Sequence, residues 1–283
     1  MINRDTHIEE ELLRKANVSY RKSKEDAWKE ISAVLDETPD AKVIPIYQNW
    51  RYLSIAASFA VLIAVFSFMR FNSINVACPS GQKMAVNLPD GSEVQLNAAS
   101  ELSYHPYWWR ISRNIRFEGE AFFRVTPGST FRVSSEKGIT EVVGTSFNIF
   151  SRAQRYEVTC LSGKVRVRSV QSEVEALLMQ YERAAITNGD FEITLVKDRN
   201  TEPSWIRNYI SFTSVPLNEV FDEIERQFGI RIYRPENMAY IYTGNFRFGT
   251  EVESILSLIC SPFNLEYEKQ SEGKYTITDA AEN

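Results

Sequence analysis

The chain has 283 residues, is 43% hydrophobic and carries a formal net charge of −5. That length holds two ordinary domains with tails, and the charge balance offers no electrostatic footprint for direct nucleic-acid binding. Two histidines, His7 and His105, and three scattered cysteines, Cys78, Cys160 and Cys260, exclude a Cys/His zinc cluster and leave little for His-based catalysis. No metal and no cofactor is expected. The cysteines read as separate buried thiols, with one disulfide and a spare thiol as the alternative in an oxidising compartment.

Residues 1–50 read as an α-helical arm and a linker. In a first short helix, Ile8, Leu12 and Leu13 share a face, and Glu9, Glu10 and Glu11 suit the positive end of the helix dipole. A second helix is predicted from Ser23, with Asp26 three residues on approximating a capping box. Ala27, Trp28, Ile31, Val34 and Leu35 fall at helical spacing along it. Pro39 and Pro45 then mark a linker. Two short helices cannot bury much of their own apolar surface. The stripe of Trp28, Ile31 and Leu35 is therefore expected to meet a partner, as an amphipathic helix in a groove.

Residues 51–71 read as a single transmembrane helix. From Tyr52 to Met69 no charge occurs, and at about 1.5 Å per residue the run covers roughly the hydrocarbon thickness. Trp50, Arg51 and Tyr52 anchor one end, while Arg70 can snorkel at the other. A cleaved signal peptide does not fit, because a long polar arm precedes the run. A lipid anchor at Cys78 does not fit either, because Asn75 stands where a large aliphatic is wanted. Arg14, Lys15, Arg21, Lys22, Lys24 and Lys29 favour a cytoplasmic N-terminus by the positive-inside rule, which places the C-terminal part outside.

From 79 to 196 the apolar alternation becomes two-fold. Met84, Val86 and Leu88 alternate, Pro89-Asp90-Gly91 turns the chain, and Val94 and Leu96 alternate again. Similar runs continue through Leu102, Ile115, Phe117, Phe123, Phe131, Phe147, Tyr156 and Val165. Turn signals at Gly119, Pro127-Gly128, Lys137-Gly138 and Ser162-Gly163 punctuate them. This is an all-β domain: a sandwich, roll or solenoid. Four blocks, LPDGSEVQLNAAS (88–100), RNIRFEGEAFFRV (113–125), VVGTSFNI (142–149) and LSGKVRV (161–167), resemble in order and spacing the periplasmic domain of FecR-type anti-sigma factors. The family usually follows the fourth block with Leu-x-Pro-Gly; here LLMQY (177–181) stands instead.

Residues 205–280 form a small α+β module. A strand at Ile210–Phe212 leads into a helix with Leu217, Val220, Phe221, Ile224 and Phe228 on one face, Pro216 at its start and Gly229 at its stop. Further strands at 230–233 and 242–248, a helix at 252–260 and a closing hairpin give the order β-α-β-β-α-β-β. This is similar to the secretin/TonB short N-terminal module that follows the sensor domain in one branch of the FecR-type family.

The resemblance implies an anti-sigma factor in the bacterial inner membrane. Its arm would bind an extracytoplasmic-function sigma factor in the cytoplasm. Its periplasmic part would meet the signalling domain of an outer-membrane TonB-dependent transporter. One lone helix is a weak lever, so regulated proteolysis by site proteases is the expected relay. Some relatives cleave themselves at a Gly-Thr step, which directs attention to Gly144 and Thr145. There a Thr hydroxyl could attack the preceding carbonyl, although the plainer reading is a tight structural bend. No other enzymatic activity is expected. Glu118 and Glu120 share a strand face, and no carboxylate is placed opposite them as a glycosidase needs. The rival reading is a membrane-tethered module for glycan or cell wall; His105, Pro106, Tyr107, Trp108 and Trp109 could form a stacking platform for sugar, but a packed loop is the preferred reading of these residues.

Overall fold

The computed structural model describes residues 22–36 and 50–279, apart from 154, 188–189, 197–198, 201 and 236–237. The expected helix around Ile8, Leu12 and Leu13, and the linker at 37–49, lie outside the described residues. Helix α1 (Lys24–Asp36) begins as its sequence dictates. Ser23 Oγ accepts the Asp26 amide at 3.2 Å, and its hydroxyl donates to Asp26 Oδ2 at 2.7 Å. Such a cap contributes about 1 kcal/mol. Helix α2 (Trp50–Phe71) contains the stretch Tyr52–Phe71, 20 residues long and apolar enough to cross a membrane.

The strands that follow make two sheets sharing one strand. In chain order they are β1 (Ile74–Cys78), β2 (Met84–Asn87), β3 (Glu93–Leu96), β4 (Ser100–Tyr104), β5 (Arg113–Arg124), β6 (Phe131–Ser134), β7 (Gly138–Val142), β8 (Ser146–Arg152), β9 (Arg155–Ser162), β10 (Val165–Ser169), β11 (Glu175–Leu178), β12 (Glu182–Thr187) and β13 (Asp190–Leu195). The first sheet runs β1-β4-β5-β6-β7-β10-β11 and the second β2-β3-β5-β8-β9-β12-β13. The N-terminal half of β5 pairs with β4 and β6; its C-terminal half pairs with β3 and β8.

Gly119 makes the change of sheet. The sequence marks it as a turn, yet it lies inside β5 at φ +115°, and a Cβ there would stand 2.4 Å from Ser100 Oγ. Only glycine bends the strand at that point. Of the architectures open to the sequence, the sandwich is the one formed. Its core draws Leu102, Ile115, Phe117, Phe131, Val133, Val165 and Val167 from one sheet, and Val94, Leu96, Phe123, Phe147, Ile149 and Val158 from the other. The segment that departs from the family pattern still pairs: β11 adds to β10, and β12 adds to β9.

The C-terminal module comprises β14 (Tyr209–Pro216), α3 (Leu217–Phe228), β15 (Arg231–Tyr233), β16 (Ile241–Arg247), α4 (Val252–Cys260), β17 (Leu265–Ser271) and β18 (Lys274–Asp279), in the order the sequence predicts. β14 pairs with β16, while β18 lies between β15 and β17. Leu217, Val220, Phe221 and Ile224 of α3 join Ile255, Leu256 and Ile259 of α4 in its core. Gly229 caps α3 in the left-handed region, its amide bonded to Glu225 O.

The module meets the sandwich through polar contacts. Gly81 donates its amide to Arg226 O at 2.7 Å, Arg155 pairs with Glu219 at 2.9 Å, and the Lys83 ammonium sits 3.8 Å from the centre of the Phe248 ring. Trp205, which the sequence groups with the module, instead closes the outer face of the second sheet over Phe122 and Leu161.

Candidate interaction surfaces

The three arm residues singled out from sequence share one face of α1. Trp28, Ile31 and Leu35 are 70%, 51% and 62% exposed, and no residue of α1 is buried. Most of a large aromatic's surface thus remains in water, and covering it would release about 25 cal/mol per Å².

Gly144 and Thr145 lie at the crossover from β7 in one sheet to β8 in the other. Val143 is 61% exposed, because β7 ends at Val142 and the chain turns outward to change sheets. A Cβ on Gly144 would come within 2.8 Å of Pro127 Cα, so packing against the neighbouring loop requires the glycine. Val125 and Gly128 donate their amides to the carbonyls of Thr145 and Val143 at 3.0 and 2.9 Å. The buried Thr145 hydroxyl donates to Lys164 O at 3.0 Å. That bond would have to break before the hydroxyl attacked the Gly144 carbonyl. Positive φ occurs at neither residue.

The aromatic run at 105–109 divides. Trp109 is buried against Tyr104 and Phe131, whereas Tyr107 and Trp108 face α2. Glu118 is occupied by hydrogen bonds from the Glu136 amide at 2.6 Å and Ser151 Oγ at 2.8 Å. The cysteines are three separate buried thiols, and burial pushes Cys160 and Cys260 up to about 11, far from reactive thiolates.

The junction between sandwich and module contains a polar cluster that sequence reasoning missed. Glu120 accepts from Asn97 Nδ2 at 2.7 Å and Asn148 Nδ2 at 3.1 Å. Asn148 Oδ1 in turn accepts the Trp205 indole N–H at 3.1 Å. Arg152 donates to the carbonyls of Ala98 and Ala99 at 2.6 and 2.9 Å. Burial, reinforced by the Glu223 charge on α3, pushes Glu120 up to about 7, against the opposing pull of the Asn97, Arg152 and Asn148 contacts. These residues come from distant parts of the chain, and only their assembly makes the cluster visible.

A helix with a 20-residue apolar stretch, a two-sheet sandwich with a shared strand and a small α+β module follow one another along the chain. The sandwich matches the FecR protein family over residues 74–166, and the module matches the FecR C-terminal family over residues 209–277. Together these matches span more than half of the chain, in the family's order, and the chain belongs to the FecR family. Two crystal structures of a candidate anti-sigma factor from Parabacteroides distasonis, at 2.50 and 1.65 Å, share the fold with a TM-score of 0.66 and 23% identity. The aligned regions cover 74% and 73% of this chain and 99% of each of those chains. No protein of curated function matches.

Proposed function

We propose that this protein is a membrane-anchored anti-sigma factor. The FecR sandwich and its C-terminal module, joined to a helix of membrane-spanning length and an arm with an exposed apolar face, carry this reading. In it, α2 crosses the inner membrane once, with the N-terminus in the cytoplasm and the sandwich and module in the periplasm. The arm binds an extracytoplasmic-function sigma factor through Trp28, Ile31 and Leu35, withholding it from RNA polymerase. The periplasmic part receives the signalling domain of a TonB-dependent outer-membrane transporter, and regulated proteolysis then frees the arm.

Alkaline phosphatase fused after residue 80 should be active, and after residue 45 inactive. Residues 1–50 used as bait should retain a sigma factor. The opposite fusion pattern would remove the cytoplasmic partner and the proposal with it. Retention of glycan by the sandwich and module, with no sigma factor on the arm, would replace it with a tethered binding module.

A further inference from the structure

The loop joining β4 to β5 carries three consecutive aromatic residues with different tasks. Trp109 is the root: 3% exposed, it meets Tyr104 and Phe131 edge-on at 5.5 and 5.8 Å inside the sandwich. Tyr107 and Trp108 sit on the 3-10 turn Pro106–Trp108 and pack on α2 instead. The Trp108 ring lies edge-to-face with Phe66 at 5.4 Å and under the Arg70 guanidinium at 5.8 Å. Tyr107 meets Phe68 at 5.7 Å, and His105 Nδ1 lies 3.0 Å from Asn72 O, tying the loop to the end of the helix. Even so, Tyr107 and Ile111 remain 52% and 68% exposed, with Arg110 exposed between them.

Depth follows from the helical rise. The apolar stretch ends at Phe71, and Phe66 lies roughly 7 Å further in along the axis at about 1.5 Å per residue. The stretch of 20 residues matches a hydrocarbon layer about 30 Å thick. A ring packed on Phe66 therefore reaches below the boundary of that layer. Tyr107 stands beside it on the same turn, and Ile111 follows directly, its amide donating to Trp108 O at 2.9 Å. Indole and phenol rings favour the boundary zone, where one edge is apolar and the other wet. Arg70 and Arg110 can carry their charges outward to the phosphates. Single exposed apolar residues need no explanation; Tyr107 differs because its ring packs on Phe68 of the helix, with Ile111 exposed close by in the chain.

We infer that residues 105–112 form a membrane-interface insertion that seats the sandwich on lipid beside α2, with one fixed face toward the bilayer. The occupant of the exposed Tyr107–Ile111 surface is the headgroup–acyl boundary of the leaflet at the C-terminal end of the helix. The inference rests on α2 being the membrane span.

The test uses the full chain in lipid nanodiscs, with nitroxides placed singly by Tyr107→Cys, Ile111→Cys, Phe59→Cys inside α2, and Glu272→Cys on the exposed β17–β18 turn. Label carried by the unsubstituted chain serves as the blank. Collision rates with oxygen and with a water-soluble nickel chelate report depth. Labels at 107 and 111 should favour oxygen over nickel several-fold more than the label at 272. If 107 and 111 behave like 272 while 59 reads as membrane-buried, the insertion is overturned and the span stands. An aqueous signature at 59 overturns the span and the insertion together. Both loop positions are exposed, so substitution there leaves the core intact.

Discussion

Arg113, at the first position of β5, reaches back to Asp90 in the turn between β2 and β3, with 2.7 Å between guanidinium and carboxylate. Neither side chain has much contact with solvent, and the same guanidinium donates to Thr126 O at 3.0 Å and to Ser129 O. The pair thus ties a hairpin turn to the loop leaving the other end of β5. Burial pushes the Asp90 carboxyl up, but hydrogen bonds from Arg113 and Ser92 outweigh it and hold the group below its ordinary range.

Breaking this pair by Arg113→Ala strands a buried carboxylate and should cost about 3–5 kcal/mol. Asp90→Asn should also destabilise, and the double variant should lose less than the sum of the two. Because folding lowers the Asp90 pKa, its contribution is present above the unfolded value near 4 and disappears as pH falls through the folded one. Urea unfolding at pH 7 and pH 3 measures both effects. Additive losses with no pH dependence would deny the coupling.

Glu120 has the opposite sign. Its folded pKa is raised to about 7, so the protonated form is favoured by folding. Stability from this group is highest below the unfolded value near 4.5 and falls as pH rises toward and through 7. Glu120→Gln should therefore gain on the parent by something on the order of 1–3 kcal/mol between pH 5 and pH 8. The comparison is with pH, not absolute, because Asn97 and Asn148 donate to different carboxylate oxygens and Gln replaces one of these with a donor NH2. Parallel Tm curves for parent and variant across that range would show that Glu120 stays an ordinary carboxylate.

Much of the fold was legible because local rules agreed with the global ones. Ser23 and Asp26 predicted the start of α1, Pro89-Asp90-Gly91 the first hairpin, and Pro216 and Gly229 the limits of α3. What escaped depends on pairings between distant segments. Gly119 carries the signature of a turn residue, and nothing local says that its strand continues into a second sheet. Trp205 precedes a strand in sequence but packs on Phe122 and Leu161. Asp90 was read as a turn former without Arg113, and Glu120 was weighed as a catalytic acid without Glu223. At the arm, periodicity identified the stripe, since an exposed helical face is a local property.

That stripe gives the third prediction. Trp28→Ala should weaken binding to the sigma factor by about 2 kcal/mol, roughly thirtyfold, as loss of a central aromatic anchor commonly does. Ile31→Asp should do at least as much by placing a charge in an apolar contact. In cells, both should raise expression of the sigma-dependent genes without inducer. Normal protein levels with unchanged expression would reject this face as the contact.

The last prediction concerns Thr145, where two roles give separable outcomes. Its hydroxyl is buried and donates to Lys164 O at 3.0 Å, linking the crossover after β7 to the turn between β9 and β10. As a structural donor, it should contribute about 1–2 kcal/mol, lost in Thr145→Ala because the carbonyl is left unsatisfied, and partly kept in Thr145→Ser. Purified protein should then run as one intact band on denaturing gels. As a nucleophile, the hydroxyl would leave Lys164, attack the Gly144 carbonyl carbon and displace the Thr145 amide nitrogen, giving an ester that water hydrolyses. Two fragments would appear without added protease, remain associated through the pairing of β5 with β8, vanish in Thr145→Ala and persist in part in Thr145→Ser. The bond to Lys164 and the absence of left-handed backbone at Gly144 and Thr145 favour the intact band. Fragments that persist in the Ala variant would assign the cut to a separate protease acting at this exposed crossover.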